Sequence, residues 1–112
     1  MPKYPLILAA LLPLALPVAS LADDNVVEVK VTLKDHRWDP AEIHVPTGKK
    51  VLIRVSNLDD TAEEFDSDAL KVEKVIVGKG DGTVRLRPLG PGQYKFQGEY
   101  HPDTAQGVVI AE

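Results

Sequence analysis

An all-β sandwich is the fold class this sequence predicts, and three features of the mature part predict it. Short segments alternate apolar and polar residues with period two, clusters of turn-forming residues separate them, and no stretch longer than about ten residues carries the 3.6-residue period of a helix. The first run is "VVEVKVTL", with Val27, Val29, Val31 and Leu33 on one face and Glu28, Lys30 and Thr32 on the other. "AEIHV" then puts Ile43 and Val45 inward and His44 outward, "PTGK" turns the chain, and "VLIRV" turns Val51, Ile53 and Val55 inward. After the polar loop "SNLDDTAEE" come Phe65 and "VEKVIVG", then the turn "GKGDG" and "TVRLRPL" with Val84 and Leu86 on one face. "GPG" turns the chain again, "QYKFQGEY" alternates through Tyr94, Phe96 and Gly98, and "GVVIAE" closes it. Trp38 is expected in the core, and "DSDALKVEK" has room for a single helical turn. About seven such strands describe an antiparallel sandwich.

The segment before these strands follows a different pattern. "MPKYPLILAALLPLALPVASLA" has Lys3 near the start, an apolar run from Leu6 to Val18 and small residues at Ser20 and Ala22. It is expected to be a signal peptide spanning residues 1–22, cleaved after Ala22 to release the protein to the periplasm. No cysteine follows to anchor a lipid. The apolar run is short for a bilayer, and Pro13 and Pro17 interrupt it, so no membrane span is expected once it is removed.

The remaining chain, residues 23–112, is long enough for one domain with a core of modest size. Of the 13 basic residues only Lys3 is lost with the leader and all 17 acids are kept, so this part is acidic. Its basic side chains form no stripe with interleaved aromatics, which argues against a nucleic-acid partner. The absence of cysteine rules out disulfide staples and removes the thiolate that a blue-copper site needs.

If successive strands run up and down, "KDHRWDP", "SNLDDTAEEF" and "YHPDTAQG" share one end of the sandwich. That end collects Asp35, His36, Asp59, Asp60, Glu63, Glu64, Asp66, Glu99, His101 and Asp103, whereas the opposite turns are poor in such side chains. By parity Glu63 shares a face with inward Phe65 and Glu64 points away. Glu99 faces outward unless the chain bends after Gly98.

The ordered motifs "WDP", "IHVPTGKKV", "RVSNLDD", "EEF" and "PGQYKFQGEYHP" resemble the cupredoxin family over nearly all of residues 23–112, and most of all the branch named for the cupredoxin-like domain of EfeO iron-uptake proteins. The resemblance implies a Greek-key β-sandwich of seven to eight strands with a metal held at the loop-rich end. It also implies where ligands would fall. The family's first histidine position falls on Glu63, its cysteine on Gly98, its second histidine on His101, and its methionine among Thr104, Ala105 and Gln106. A blue-copper centre is therefore not expected. What remains is a metal set of Glu63, Glu64, Asp66, Glu99 and His101, one imidazole among oxygen donors, suited to an iron ion or a colourless copper ion.

The function that the resemblance implies is that of a periplasmic accessory in iron uptake. It would deliver the ion, or oxidise Fe(II) like a ferroxidase, alongside an iron permease or another periplasmic iron-binding protein. Two other readings stand beside it: a periplasmic copper-binding protein, and a cupredoxin-fold interaction module without a metal. The acidic run "EEFDSDALKVEK" is either a docking surface for such a partner or a solvated edge that prevents sheet-to-sheet aggregation.

Overall fold

The computed structural model describes residues 26–112, and the expected leader and its cleavage site lie outside them. Nine strands follow one another: β1 (Val26–Lys34), β2 (Arg37–Asp39), β3 (Glu42–Val45), β4 (Lys50–Asn57), β5 (Glu63–Ser67), β6 (Val72–Ile76), β7 (Asp81–Leu86), β8 (Gly92–Gly98) and β9 (Gln106–Ala111). They form two sheets, ordered β2-β1-β4-β7 and β3-β9-β8-β5-β6. Among the described residues no helix is long and apolar enough to cross a membrane.

The inward residues of both sheets meet in one core. Val31, Leu33, Val51, Ile53, Val55, Val84 and Leu86 come from the first sheet, and Ile43, Val45, Phe65, Ile76, Phe96 and Val109 from the second. Each is the inward member of its alternation, and each large side chain so removed from water contributes about 1.5–3 kcal/mol. Trp38, also buried, sits edge-on to Phe65 and Phe96 with ring centroids 5.4 and 5.6 Å away, while those two rings stack at 4.4 Å. Gly107 lies opposite Phe96 in the β8–β9 ladder, and a Cβ there would collide with the Phe96 ring. Glycine at this position lets the aromatic cluster reach the sheet.

Three features differ from the expectations. β2 and β5 are strands of their own, so the sandwich has nine rather than seven or eight. Pairing is not uniformly antiparallel either: β1 runs parallel to β4, and β3 parallel to β9. The chain crosses to the other sheet at β3 and back at β4, and after these two crossings β4 lies beside β1 in the same direction. Residues 68–71, where a helical turn had room to form, make a turn between β5 and β6, with Lys71 in the left-handed region at φ 59°.

The up-and-down layout holds where it bears on the site. Loops 35–36, 58–62 and 99–105 lie at one end of the sandwich, because β1 and β4 run parallel and β5 and β8 pair antiparallel.

Candidate metal centre and its wiring

Glu63 begins β5 on the inward face, two residues before Phe65, and none of its surface is exposed. A carboxylate so placed must find partners or lose its charge. It finds three. Oε1 accepts hydrogen bonds from the backbone N–H of Glu64 at 3.0 Å and of Tyr100 at 2.8 Å, and Oε2 lies 2.6 Å from Nδ1 of His101. At that distance one proton is shared, and it is assigned to Nδ1–H donating to the carboxylate. The bonds join the start of β5 to the loop after β8, which is itself closed by His101 N–H donating to Gly98 O and Ala105 N–H to His101 O.

The other face of the His101 ring is covered by His36, stacked with ring centroids 3.5 Å apart and planes 10° from parallel. His36 reaches this place because Asp35 and His36 form the two-residue hairpin between β1 and β2, both with positive φ, 53° and 59°. That is the geometry of the tight hairpin turn whose twist suits flanking strands, and Asp and His tolerate it better than most residues. Asp59 fastens the turn: its Oδ1 accepts from Asp35 N–H at 2.7 Å and its Oδ2 from His36 N–H at 3.0 Å. Burial works against the Asp59 charge, but the two N–H donors and then the nearby His36 and His101 outweigh it and hold the carboxyl below its ordinary value. Asp59 is in turn positioned by Asn57, the buried last residue of β4. The Asn57 side-chain oxygen accepts from Asp59 N–H at 3.0 Å, and its amide donates to Thr61 O at 2.8 Å and to Ile76 O and Val77 O, both at 3.2 Å.

The five residues expected as metal ligands divide between two faces. Glu63 and His101 meet inside the end of the sandwich. Glu64 and Asp66 follow on the opposite side of β5, and Glu99, exposed, comes alongside through its N–H bond to Glu64 O at 2.9 Å. Asp66 pairs across β6 with Glu73. Partial burial first, then the charges of Glu73, Asp66, Glu99 and Glu63, push the Glu64 carboxyl above its ordinary value. Asp66 is raised by burial, by the Glu99 charge and a hydrogen bond with Glu99, and by Asp68. Among the described residues, no group of three or more His, Cys, Asp or Glu side chains is placed to hold a metal ion.

The residues at the loop-rich end do not fit a copper centre of the thiolate type. Gly98 offers no side chain, and a Cβ there would lie 2.6 Å from Glu63 Cδ, 2.8 Å from Glu63 Oε2 and 2.6 Å from the Ala105 Cβ. Both Glu63 oxygens and His101 Nδ1 are already engaged, and the stacked His36 ring lies parallel to His101 rather than converging on a common point with it. The crowding has a measurable consequence. Gly98→Ala should destabilise the fold by about 1–3 kcal/mol through overpacking, read as a lower urea midpoint at constant slope. An unchanged midpoint would show that the Glu63 carboxylate readily vacates this space.

Sequence reasoning placed His36 and Asp59 among the ligand-type residues of this end but did not foresee the ring stack or the carboxylate clamp. The visible signal was "LKDHRW", two apolar inward residues, Leu33 and Trp38, spaced around an Asp-His pair that can turn a hairpin.

Two sheets, Greek-key crossings and a ligand-position end describe a cupredoxin-type sandwich. The chain belongs to the cupredoxin-like domain family, whose model matches residues 6–111. It is 43% identical over 88 residues to the uncharacterized protein RP394 of Rickettsia prowazekii (strain Madrid E), covering 79% of this chain and 70% of that protein. Among solved structures it is similar to the metal-binding domain of the Cu(I)-exporting P-type ATPase CopA of Streptococcus pneumoniae D39, with TM-score 0.68 and 13% identity over 80% of this chain and 88% of that one. Auracyanin A, a "blue" copper protein of Chloroflexus aurantiacus, matches with TM-score 0.62 and 15% identity over 78% of this chain and 99% of that one. A methionine-to-alanine mutant of amicyanin in its Cu(I) form matches with TM-score 0.57 and 22% identity over 76% of this chain and 82% of that one. At these identities the solved structures speak for the fold.

Proposed function

We propose that this protein is an exported metal-carrying accessory of the EfeO-type branch, which binds iron as cargo in the periplasm and passes it to an iron permease or a second periplasmic iron-binding protein. The observation that supports this reading is the acidic patch of Glu64 and Asp66 on the outer side of β5, with exposed Glu99 alongside in the loop after β8 and Glu73 across the ladder, where Glu64 and Asp66 both hold protons more tightly than ordinary carboxyls. These side chains are not arrayed as ligands as they stand, so an ion would have to draw them together. Crowded carboxylates are relieved either by protons or by a hard cation, and oxygen donors favour iron or manganese over Cu(I). Delivery is preferred to Fe(II) oxidation because this donor set has no thiolate or thioether to tune a redox centre.

The test is calorimetric titration of residues 23–112 with Fe(II) under anoxic conditions and with redox-inert Mn(II). About one ion per chain is expected, with affinity at least tenfold weaker in Glu64→Gln and in Asp66→Asn and unchanged in Glu42→Gln on β3, the edge strand three strands away from β5. The pH dependence follows from the direction of the shifts. A raised carboxyl regains its proton at a higher pH than the ordinary value of about 4, so affinity should begin to fall above that value as the solution is acidified. The sign for stability is the opposite: the folded chain takes up these protons more readily than the unfolded one, so crowding destabilises at neutral pH and is relieved as pH falls through the raised values toward 4. No saturable uptake of either ion would end the cargo reading. It would leave the second reading, a metal-free interaction module, which the mutual engagement of Glu63 and His101 at the loop-rich end supports.

A further inference from the structure

We infer that the carboxylate of Glu63 takes the structural place of a metal ion at the loop-rich end, so that this end is closed by the protein's own side chain. Three of the positions that the cupredoxin resemblance marks for ligands are Glu63, Gly98 and His101, and in this chain they converge on one space. His101 Nδ1 points into it, 2.6 Å from Glu63 Oε2, and a Cβ on Gly98 would enter it at 2.8 Å from the same oxygen. The carboxylate therefore fills the volume that the three positions share.

Glu63 also joins what an ion there would join. By the cupredoxin resemblance, a metal there would tie the segment after β4 to the loop before the last strand. Here Oε1 accepts from Tyr100 N–H in that loop and from Glu64 N–H on β5, and Oε2 takes the imidazole. The polarity is inverted relative to a metal. An ion accepts lone pairs from deprotonated nitrogen, whereas a carboxylate accepts protons, so His101 must keep Nδ1–H to make the bond. The two requirements are exclusive at one nitrogen. The glycine at the cysteine position and the buried, fully bonded carboxylate are thus two halves of one replacement: each needs the other, since a side chain at 98 would displace the Glu63 carboxylate. Among the described residues no buried side-chain nitrogen or oxygen is left without a partner.

The inference does not depend on cargo binding at the outer carboxylates, and its test reads different atoms. Residues 23–112 would be stripped with a chelator and studied by 15N NMR, observing the His101 ring nitrogens and the hydrogen exchange of the Tyr100 and Glu64 amides, before and after addition of Zn(II). Zn(II) is diamagnetic and accepts both imidazole and carboxylate ligands. The stripped protein should show a protonated Nδ1 at His101 and both amides protected at least a hundredfold, with Zn(II) changing either protection by less than twofold. Glu63→Gln, which keeps the side-chain volume, should speed exchange of the Tyr100 amide at least tenfold. Loss of the Nδ1 proton on adding Zn(II), or amides that exchange freely until Zn(II) is added, would show that an ion and not Glu63 closes this end. Unchanged Tyr100 exchange in a folded Glu63→Gln variant would also overturn the inference. Absence of Fe(II) or Mn(II) uptake at the outer face would leave all of these readings untouched.

Discussion

Replacing Glu63 by alanine is expected to lower the stability of the folded domain by about 3–5 kcal/mol, because a fully buried side chain and the acceptor of three hydrogen bonds are lost together. The substitution strips acceptors from the Glu64 and Tyr100 N–H groups, leaves His101 Nδ1 facing a cavity and unties the two loops at once. A domain of this size has roughly 5–15 kcal/mol in total, so the loss is a large fraction of it and the urea midpoint should fall steeply at constant slope. Glu63→Gln separates charge from volume. Its amide oxygen is a weaker, uncharged acceptor for the Tyr100 and Glu64 N–H groups and the imidazole loses its charged partner, so about 1–3 kcal/mol is expected. A loss below about 1 kcal/mol in Glu63→Ala would mean that water replaces the carboxylate easily and that this end is not held by it.

Trp38→Ala should destabilise by a comparable amount, about 3–5 kcal/mol, for a different reason. The indole is the centre of the aromatic cluster, edge-on to both Phe65 and Phe96, and a void there is bordered by the two sheets, which cannot collapse onto it without breaking their ladders. Trp38 Nε1 also donates to Ala105 O at 3.0 Å, and that carbonyl accepts from Gly98 N–H at 2.7 Å as well. The tryptophan therefore supports the loop that carries His101 from beneath. Trp38→Phe keeps most of the volume and loses the hydrogen bond, so it should cost less than half as much in urea unfolding. Fluorescence is no guide here, since the indole is the reporter, and circular dichroism or NMR should follow the transition. A small effect of Trp38→Ala would indicate that the loop before β9 is held from above, by Glu63 and His36, and not from below.

These expectations rest on parts of the molecule that differ in how far the sequence disclosed them. The alternation of Val27, Val29, Val31 and Leu33, and of Val51, Ile53 and Val55, predicts half-buried strands because a sheet with one wet face must alternate, and both runs form as predicted. Parity also placed Glu63 with Phe65 inside and Glu64 and Glu99 outside, since a strand has only two faces. β2 and β5 were less legible. "RWD" is three residues and "EEFDS" is polar at every position but Phe65, so neither displays an apolar run, and each becomes a strand only because its neighbour supplies a ladder. The parallel pairing of β1 with β4 was hidden for a related reason: alternation records which face is buried and is silent on which strand lies alongside.

By itself, the sequence determined the fold class, the inward residues of each run and the gathering of acids and histidines at one end, because these follow from period, parity and strand direction, which are local or nearly so. Tertiary structure alone decided what those side chains do when they meet. Glu63 and His101 are 38 positions apart, and the bond between them exists because β5 and β8 pair with Phe65 opposite Gly98. His36 covers the same ring only because Asp59, 23 positions on, clamps the hairpin that carries it. Whether a carboxylate beside a histidine binds an ion or closes a loop depends on distances of a few tenths of an ångström and on which lone pairs are already occupied. Those quantities are fixed by packing between distant segments, so residue types and spacing do not encode them separately.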